Sequence, residues 1–99
     1  MLTIYTEQSG GTLTVKPSGR LDTTTAKQFH TEVNDQLDGV TDLVIDCSEL
    51  EYISSAGLRE FLSACRTVSA NGTHVVKNCS DNVLGVFQIT KLASLLNIE

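Results

Sequence analysis

The sequence predicts an α/β domain in which crossover helices cover a mixed sheet, and three observations carry that reading. Alternating apolar runs flank Gly10-Gly11 near the start, an uninterrupted apolar triplet Leu43-Val44-Ile45 sits mid-chain, and two stripes at helical spacing separate the strand-like segments. With 99 residues, 40% of them hydrophobic, and a single proline, the chain is sized for one compact domain over 1–99 with a modest core.

Leu2 and Ile4 alternate with polar neighbours, Gly10-Gly11 makes a turn, and Leu13 and Val15 alternate again, the pattern of a β-hairpin. Pro17, Ser18 and Gly19 are expected to loosen the end of the second strand. After Asp22, the hydroxyls of Thr23, Thr24 and Thr25 offer a helix cap. Ala26, Phe29, Val33 and Leu37 then fall on one face of a first helix reaching Gly39, about four turns at 3.6 residues per turn. The triplet Leu43-Val44-Ile45 suits a central strand covered on both faces, since a half-buried strand would alternate.

A short loop then leads to the second helix, from about Ala56 to Ala70. Leu58, Phe61, Leu62, Cys65 and Val68 make its apolar stripe, and Asn71-Gly72 supplies its stop. A fourth strand spans about His74 to Cys79. Ser80-Asp81 is a plausible cap for a third helix carrying Val83, Val86 and Phe87. From Leu92 to Ile98 the chain is apolar enough to pack down, and helix, strand or both fit.

The net charge of -5 and pI near 4.8 argue against a nucleic-acid or anionic-membrane surface, because the seven basic residues are scattered rather than clustered. Three cysteines, Cys47, Cys65 and Cys79, form an odd set in apolar contexts, which suits structural roles in a reducing, cytoplasmic setting. No segment approaches the roughly 18 apolar residues of a membrane span, and the start does not resemble a signal peptide. Catalysis finds little support. There is no Gly-x-Ser-x-Gly elbow and no Walker or Rossmann glycine loop, and no His, Cys and carboxylate cluster has metal-ligand spacing. His30 and His74 read as surface or boundary residues. Neither an enzyme nor a cofactor is expected.

The most informative stretch is Leu43 to Arg59, a buried strand, a loop, and two hydroxyls, Ser54 and Ser55, set where a helix begins. The first turn of a helix has unpaired N–H donors and the positive end of the macrodipole, so a phosphate is accepted there without cost to the fold. Each phosphoserine adds roughly 1.5 to 2 negative charges and three acceptor oxygens, which changes the surface a partner meets. The plain alternative for Ser55 is a helix cap, and Ser54 reads first as a cap or loop hydrogen-bonder. Asp22 could likewise cap the first helix, Gly57 could be small for packing, Leu58 belongs to the apolar stripe, and Arg59 points outward.

Gly19-Arg20-Leu21-Asp22 before a threonine-led helix, and Tyr52-Ile53-Ser54-Ser55-Ala56-Gly57-Leu58 after the apolar strand, resemble the STAS domain (sulfate transporter and anti-sigma factor antagonist). Within it, the likeness is to the stand-alone bacterial anti-sigma factor antagonists, and it covers nearly the whole chain. The resemblance implies the STAS fold, a mixed four- to five-stranded sheet with covering helices. It also implies partner switching: the antagonist binds an anti-sigma factor that is a serine kinase, is phosphorylated by it and released, and is reset by a serine phosphatase. The family's acceptor lies two positions before the glycine, here Ser55, with Asp22 as the acidic residue near it. Ser54, second choice as acceptor, stands where many antagonists carry Asp. The implied partner surface is Asp22, Ser54, Ser55, Ala56, Gly57, Leu58 and Arg59. The chain stops at Glu99, earlier than many members, which carry a further terminal helix. A second reading is a STAS adaptor subunit, without phosphate cycling, of another assembly such as a lipid-transport complex.

Overall fold

A computed structural model describes residues 2–70, 72–90 and 93–99. Its elements are β1 (Leu2–Ser9), β2 (Thr12–Leu21), α1 (Ala26–Asn34), β3 (Asp42–Asp46), β4 (Leu50–Ile53), α2 (Ser55–Ser69), β5 (Thr73–Lys77) and α3 (Asp81–Thr90). A short 3-10 turn, Ala93–Leu95, follows. β1 and β2 form the expected antiparallel hairpin around Gly10-Gly11, with Ser9 opposite Thr12. β3 and β4 both run parallel to β2, β3 against Thr12–Val15 and β4 against Gly19–Leu21, and β5 lies parallel beyond β3. The sheet is therefore mixed, with the α1 and α2 crossovers that parallel neighbours require.

Several sequence expectations are corrected. The loosening expected at Pro17-Ser18-Gly19 lies within the second strand, two residues before its end at Leu21. The register shifts between Gly19 and Arg20, with Gly19 at φ 105, and the strand resumes to Leu21. That left-handed backbone is open to glycine and strained for other residues, so the irregularity the sequence signals is a bulge rather than an end. The loop before α2 contains β4, whose outer residues Leu50 and Ile53 are buried while Glu51 and Tyr52 are exposed. Its buried pair is spaced by three, so it lacks the alternation by which a strand is read; only pairing with β2 defines it.

Helix one is shorter than expected, 9 residues ending at Asn34. Leu37 and Val40 stay buried, but successive tight turns carry them, closed by Leu37 N–H to the Asn34 carbonyl (3.3 Å) and Val40 N–H to the Leu37 carbonyl (3.1 Å). The apolar period thus outlasts the helix. β3 is central, as expected, but only one of its faces is covered: Leu43 and Ile45 are buried, whereas Val44 is half-buried beside Thr14 and Val75 on the open face.

β5 ends at Lys77 rather than Cys79, and Ser80 caps α3 as expected, its Oγ accepting from Val83 N–H at 3.4 Å. The C-terminal stretch takes both forms left open: the 3-10 turn, then Ile98 bridging Val76 in parallel. Asn71, half of the expected stop of helix two, and Leu92 lie outside the described residues.

The helices cover one face of the sheet. Leu13, Val15, Leu21, Ile45 and Ile53 from the strands meet Phe29, Leu58, Phe61, Cys65, Val83 and Phe87 from the helices, all essentially inaccessible. Phe61 of α2 sits at the centre, its ring 5.2 Å from Phe29 of α1 and 6.4 Å, edge-on, from Phe87 of α3. Such pairs add about 0.5–1.5 kcal/mol each beyond the area they bury. They hold α2 at a fixed height over the ends of β2 and β4.

Candidate functional site

β2 and β4 end together. Leu21 pairs with Ile53, so the next residues, Asp22 and Ser54, leave the sheet side by side. The carboxyl ends of neighbouring parallel strands are where open α/β sheets gather functional groups, because the chain turns there into helix N-termini. The Ser54 N–H donates to the Leu21 carbonyl at 2.8 Å, tying one loop to the other.

The two serines divide the work. Ser54 has extended backbone (φ -96, ψ 173) and is the N-cap of α2: its Oγ accepts from Gly57 N–H at 3.2 Å, while its carbonyl accepts from Leu58 N–H at 2.9 Å. One of the otherwise unpaired amides of the first turn is thereby satisfied. Ser55 is the first helical residue and is exposed, and among the described residues no hydrogen bond engages its hydroxyl. The free hydroxyl stands at the positive end of a 15-residue helix with no acidic residue in its first turn.

Asp22 closes the neighbouring loop. Its Oδ1 accepts from the Thr24 hydroxyl (2.7 Å), the Thr24 amide (3.0 Å) and the Thr25 amide (3.2 Å). Thus the carboxylate orders the loop before α1, while Thr25, the N-cap residue, makes no side-chain bond to the helix amides, so the expected threonine hydroxyl cap is not formed. The Thr25 hydroxyl turns backwards instead, accepting from Asp22 N–H at 2.8 Å and donating to the Arg20 carbonyl at 2.9 Å. Led by the Thr24 hydroxyl, these donors hold the Asp22 carboxyl below its ordinary value of 3.8 against a partial desolvation that raises it. A fixed negative charge therefore stands beside the start of α2.

Of the remaining residues in the motif, Ala56 is half-buried and Arg59 exposed, while Gly57 and Leu58 turn inward. A Cβ on Gly57 would lie 2.6 Å from Leu21 Cγ and 2.8 Å from the Leu21 carbonyl oxygen. The glycine is small because α2 crosses β2 there, so packing against the strand accounts for it. Gly57 and Leu58 seat the helix; the accessible groups of the motif are Asp22, Ser54, Ser55, Ala56 and Arg59.

Two further residues, present in the sequence motifs but given no role there, frame the site. Arg20 and Tyr52 are register partners on β2 and β4, and the Arg20 guanidinium lies 4.4 Å from the Tyr52 ring centroid. Arg20 Nε is also 4.0 Å from Asp22 Oδ2. An exposed stack of this kind contributes about 0.5–1 kcal/mol, enough to order both side chains without burying them. The signal for them was the parallel pairing of β4, hidden while that segment read as a loop.

The histidines lie elsewhere. His30 contacts Glu60 at 2.8 Å between α1 and α2. His74 Nε2 accepts from the Asn97 amide (3.1 Å), which places the proton on Nδ1, facing Ser69 Oγ at 2.8 Å. In that tautomer His74 donates to Ser69 and cannot withdraw its proton. Among the described residues no group of three or more His, Cys, Asp or Glu is placed to hold a metal ion, and no helix is long and apolar enough to cross a membrane.

Comparison with known proteins gives a consistent picture. The family model for the STAS domain matches residues 3–99. An anti-sigma factor antagonist from Mycobacterium paratuberculosis superposes with a TM-score of 0.88 at 22% identity, over 99% of this chain and 85% of that one. The unphosphorylated anti-sigma factor antagonist SpoIIAA gives 0.82 at 22% identity, over 98% and 88%. The phosphorylated form of the Bacillus cell fate determinant SpoIIAA gives 0.74 at 21% identity, over 98% and 91%. At these identities the likeness is one of fold. No protein of the curated set matches.

Proposed function

The chain belongs to the STAS domain family, and from that premise we propose that it is an anti-sigma factor antagonist whose docking surface is switched by phosphate on Ser55. In this reading it binds an anti-sigma factor serine kinase stoichiometrically, in the cytoplasm and without catalysis of its own. The surface is the start of α2 (Ser54, Ser55, Ala56, Arg59, held in place by Gly57 and Leu58) together with the Asp22 loop. A serine phosphatase restores the active form.

The observation that carries the proposal is the different state of the two hydroxyls. Ser54 is engaged as the cap, whereas Ser55 is exposed and unengaged at the first position of α2. Phosphate on Ser55 finds the unpaired amides and dipole of the first turn, so the fold tolerates it. Arg59, four residues on, lies on the same helix face and supplies a charge-assisted partner. The ionised Asp22 repels the added charge and turns it toward the partner's side of the surface. Support also comes from fold neighbours described as anti-sigma factor antagonists, one of them solved in both phosphorylated and unphosphorylated forms.

Intact-mass and fragment analysis after mixing the chain with its candidate kinase and ATP tests the site. The reading expects a single phosphate on the wild type and on Ser54→Ala, and none on Ser55→Ala. Absence of phosphate with every candidate kinase contradicts it and favours the adaptor reading, in which the same fold joins a larger assembly without phosphate cycling.

A further inference from the structure

Cys47 and Cys79 are 32 positions apart in sequence but meet at the ends of adjacent strands. The register of β3 with β5 runs to Asp46 opposite Lys77, and the Cys47 amide continues it by donating to the Lys77 carbonyl at 2.9 Å. Asn78 then takes a left-handed backbone, φ 60, and its Nδ2 donates to Asp46 Oδ1 at 3.1 Å. The same carboxylate oxygen accepts from Ser48 N–H at 3.0 Å, so Asp46 pins both departing chains, one on each side of the cysteine pair. The turn at Asn78 brings the next residue, Cys79, back against the core cluster to which Cys47 belongs.

We propose that Cys47 and Cys79 are a reversible dithiol–disulfide site, oxidised by low-molecular-weight disulfides of the glutathione class. Neighbouring strands lie about 4.8 Å apart, and a disulfide spans Cα atoms about 4.4–6.8 Å apart. The register, continued one step, sets Asn78 opposite Cys47, and the left-handed turn at Asn78 returns Cys79 to the core side, so the two cysteines leave adjacent strand ends toward the same core. The two thiols differ in the way exchange requires. Cys79 is half-exposed and Cys47 buried. The interaction between the two thiols lowers the Cys79 pKa and, with burial, raises that of Cys47. Cys79 is therefore the attacking thiolate and Cys47 the resolving thiol. Cys65, buried on α2 with its pKa pushed up to about 12 by desolvation, is an internal control.

The exchange balances in two steps. The Cys79 thiolate attacks one sulfur of oxidised glutathione, forming a mixed disulfide and expelling one glutathione thiolate. Cys47 gives its proton to that thiolate and attacks the Cys79 sulfur, which forms the protein disulfide and expels the second glutathione. Two protein thiols are oxidised and one glutathione disulfide is reduced. The bond joins the turn before β4 to the segment capping α3, and a dithiol of this kind in a reducing compartment acts transiently.

Incubation of the full-length chain with oxidised glutathione, followed by alkylation, intact mass and peptide mapping, tests this directly. The expected result is loss of two of the three alkylatable thiols, a Cys47–Cys79 cross-linked peptide restored by dithiothreitol, and Cys65 still alkylated. Cys65→Ser should behave like wild type, and Cys79→Ser should take up neither cross-link nor glutathione. In Cys47→Ser the Cys79–glutathione adduct should accumulate. A wild type that accumulates the adduct as Cys47→Ser does, a bridge to Cys65, a bridge between two chains, or three thiols that stay alkylatable would each overturn the proposal. None of these outcomes depends on Ser55 or on a kinase.

Discussion

Ser54 and Ser55 are neighbours in sequence and opposite in circumstance, and the difference is set by where α2 begins. One residue decides which hydroxyl faces back to the Gly57 amide and which stays free. Ser54→Ala should therefore lower stability by about 0.5–2 kcal/mol. At about 4–8 °C per kcal/mol for a domain of this size, a thermal melt reads that as a drop of several degrees. Phosphate uptake at Ser55 should survive the change. The Asp22 carboxyl, bonded by Thr24 and Thr25, titrates below its ordinary 3.8 in the folded state. Its contribution to stability is then fully present above that value and is lost as pH falls through the lower, folded one. Asp22→Asn should flatten that part of the acid-stability curve, and an unchanged acid limb in urea titrations at stepped pH would contradict the assignment. The serine pair and the aspartate were legible in sequence as candidates. Position alone left Ser55 open as the cap, because hydrophobic spacing does not resolve a one-residue difference in helix start; the reading of Ser54 as a cap and Ser55 as the acceptor came with the family resemblance.

At the scale of elements, the site exists because β4 lies along β2 and α2 crosses both closely. Gly57→Ala puts a methyl within 2.6 Å of Leu21 Cγ and 2.8 Å of the Leu21 carbonyl oxygen. The better helix propensity of alanine is outweighed by overpacking of about 1–3 kcal/mol, so the expected result is a lower denaturation midpoint with an unchanged slope. A gain in stability would show that α2 can lift off the strand freely. The elements that sequence periodicity describes well are the long ones: the hairpin, α2 and β5 lie where expected to within a residue or two. β4 was missed because four residues with buried ends and exposed middle have no period. α1 was overextended because Leu37 remains buried after the helix has stopped, and burial alone makes the stripe.

For the whole molecule, three helices meet through Phe61, tilted against Phe29 and edge-on to Phe87. Phe61→Ala should cost about 3–5 kcal/mol. Against roughly 5–15 kcal/mol in total, that should appear as a large loss in urea midpoint. The α/β class and the covered sheet followed from the order of apolar segments. The half-open sheet face, with Val44 between Thr14 and Val75, did not, since three consecutive apolar residues read as burial on both sides. The central claim concerns the molecule as a partner: a rigid core presents one hydroxyl whose charge state decides docking. The most direct test is titration calorimetry of the cognate anti-sigma factor kinase with the unmodified chain, the Ser55-phosphorylated chain and Ser55→Asp. The account predicts binding by the unmodified chain and a loss of about tenfold or more, at least ~1.4 kcal/mol, on phosphorylation or substitution. Equal affinity of the phosphorylated and unmodified chains would contradict it.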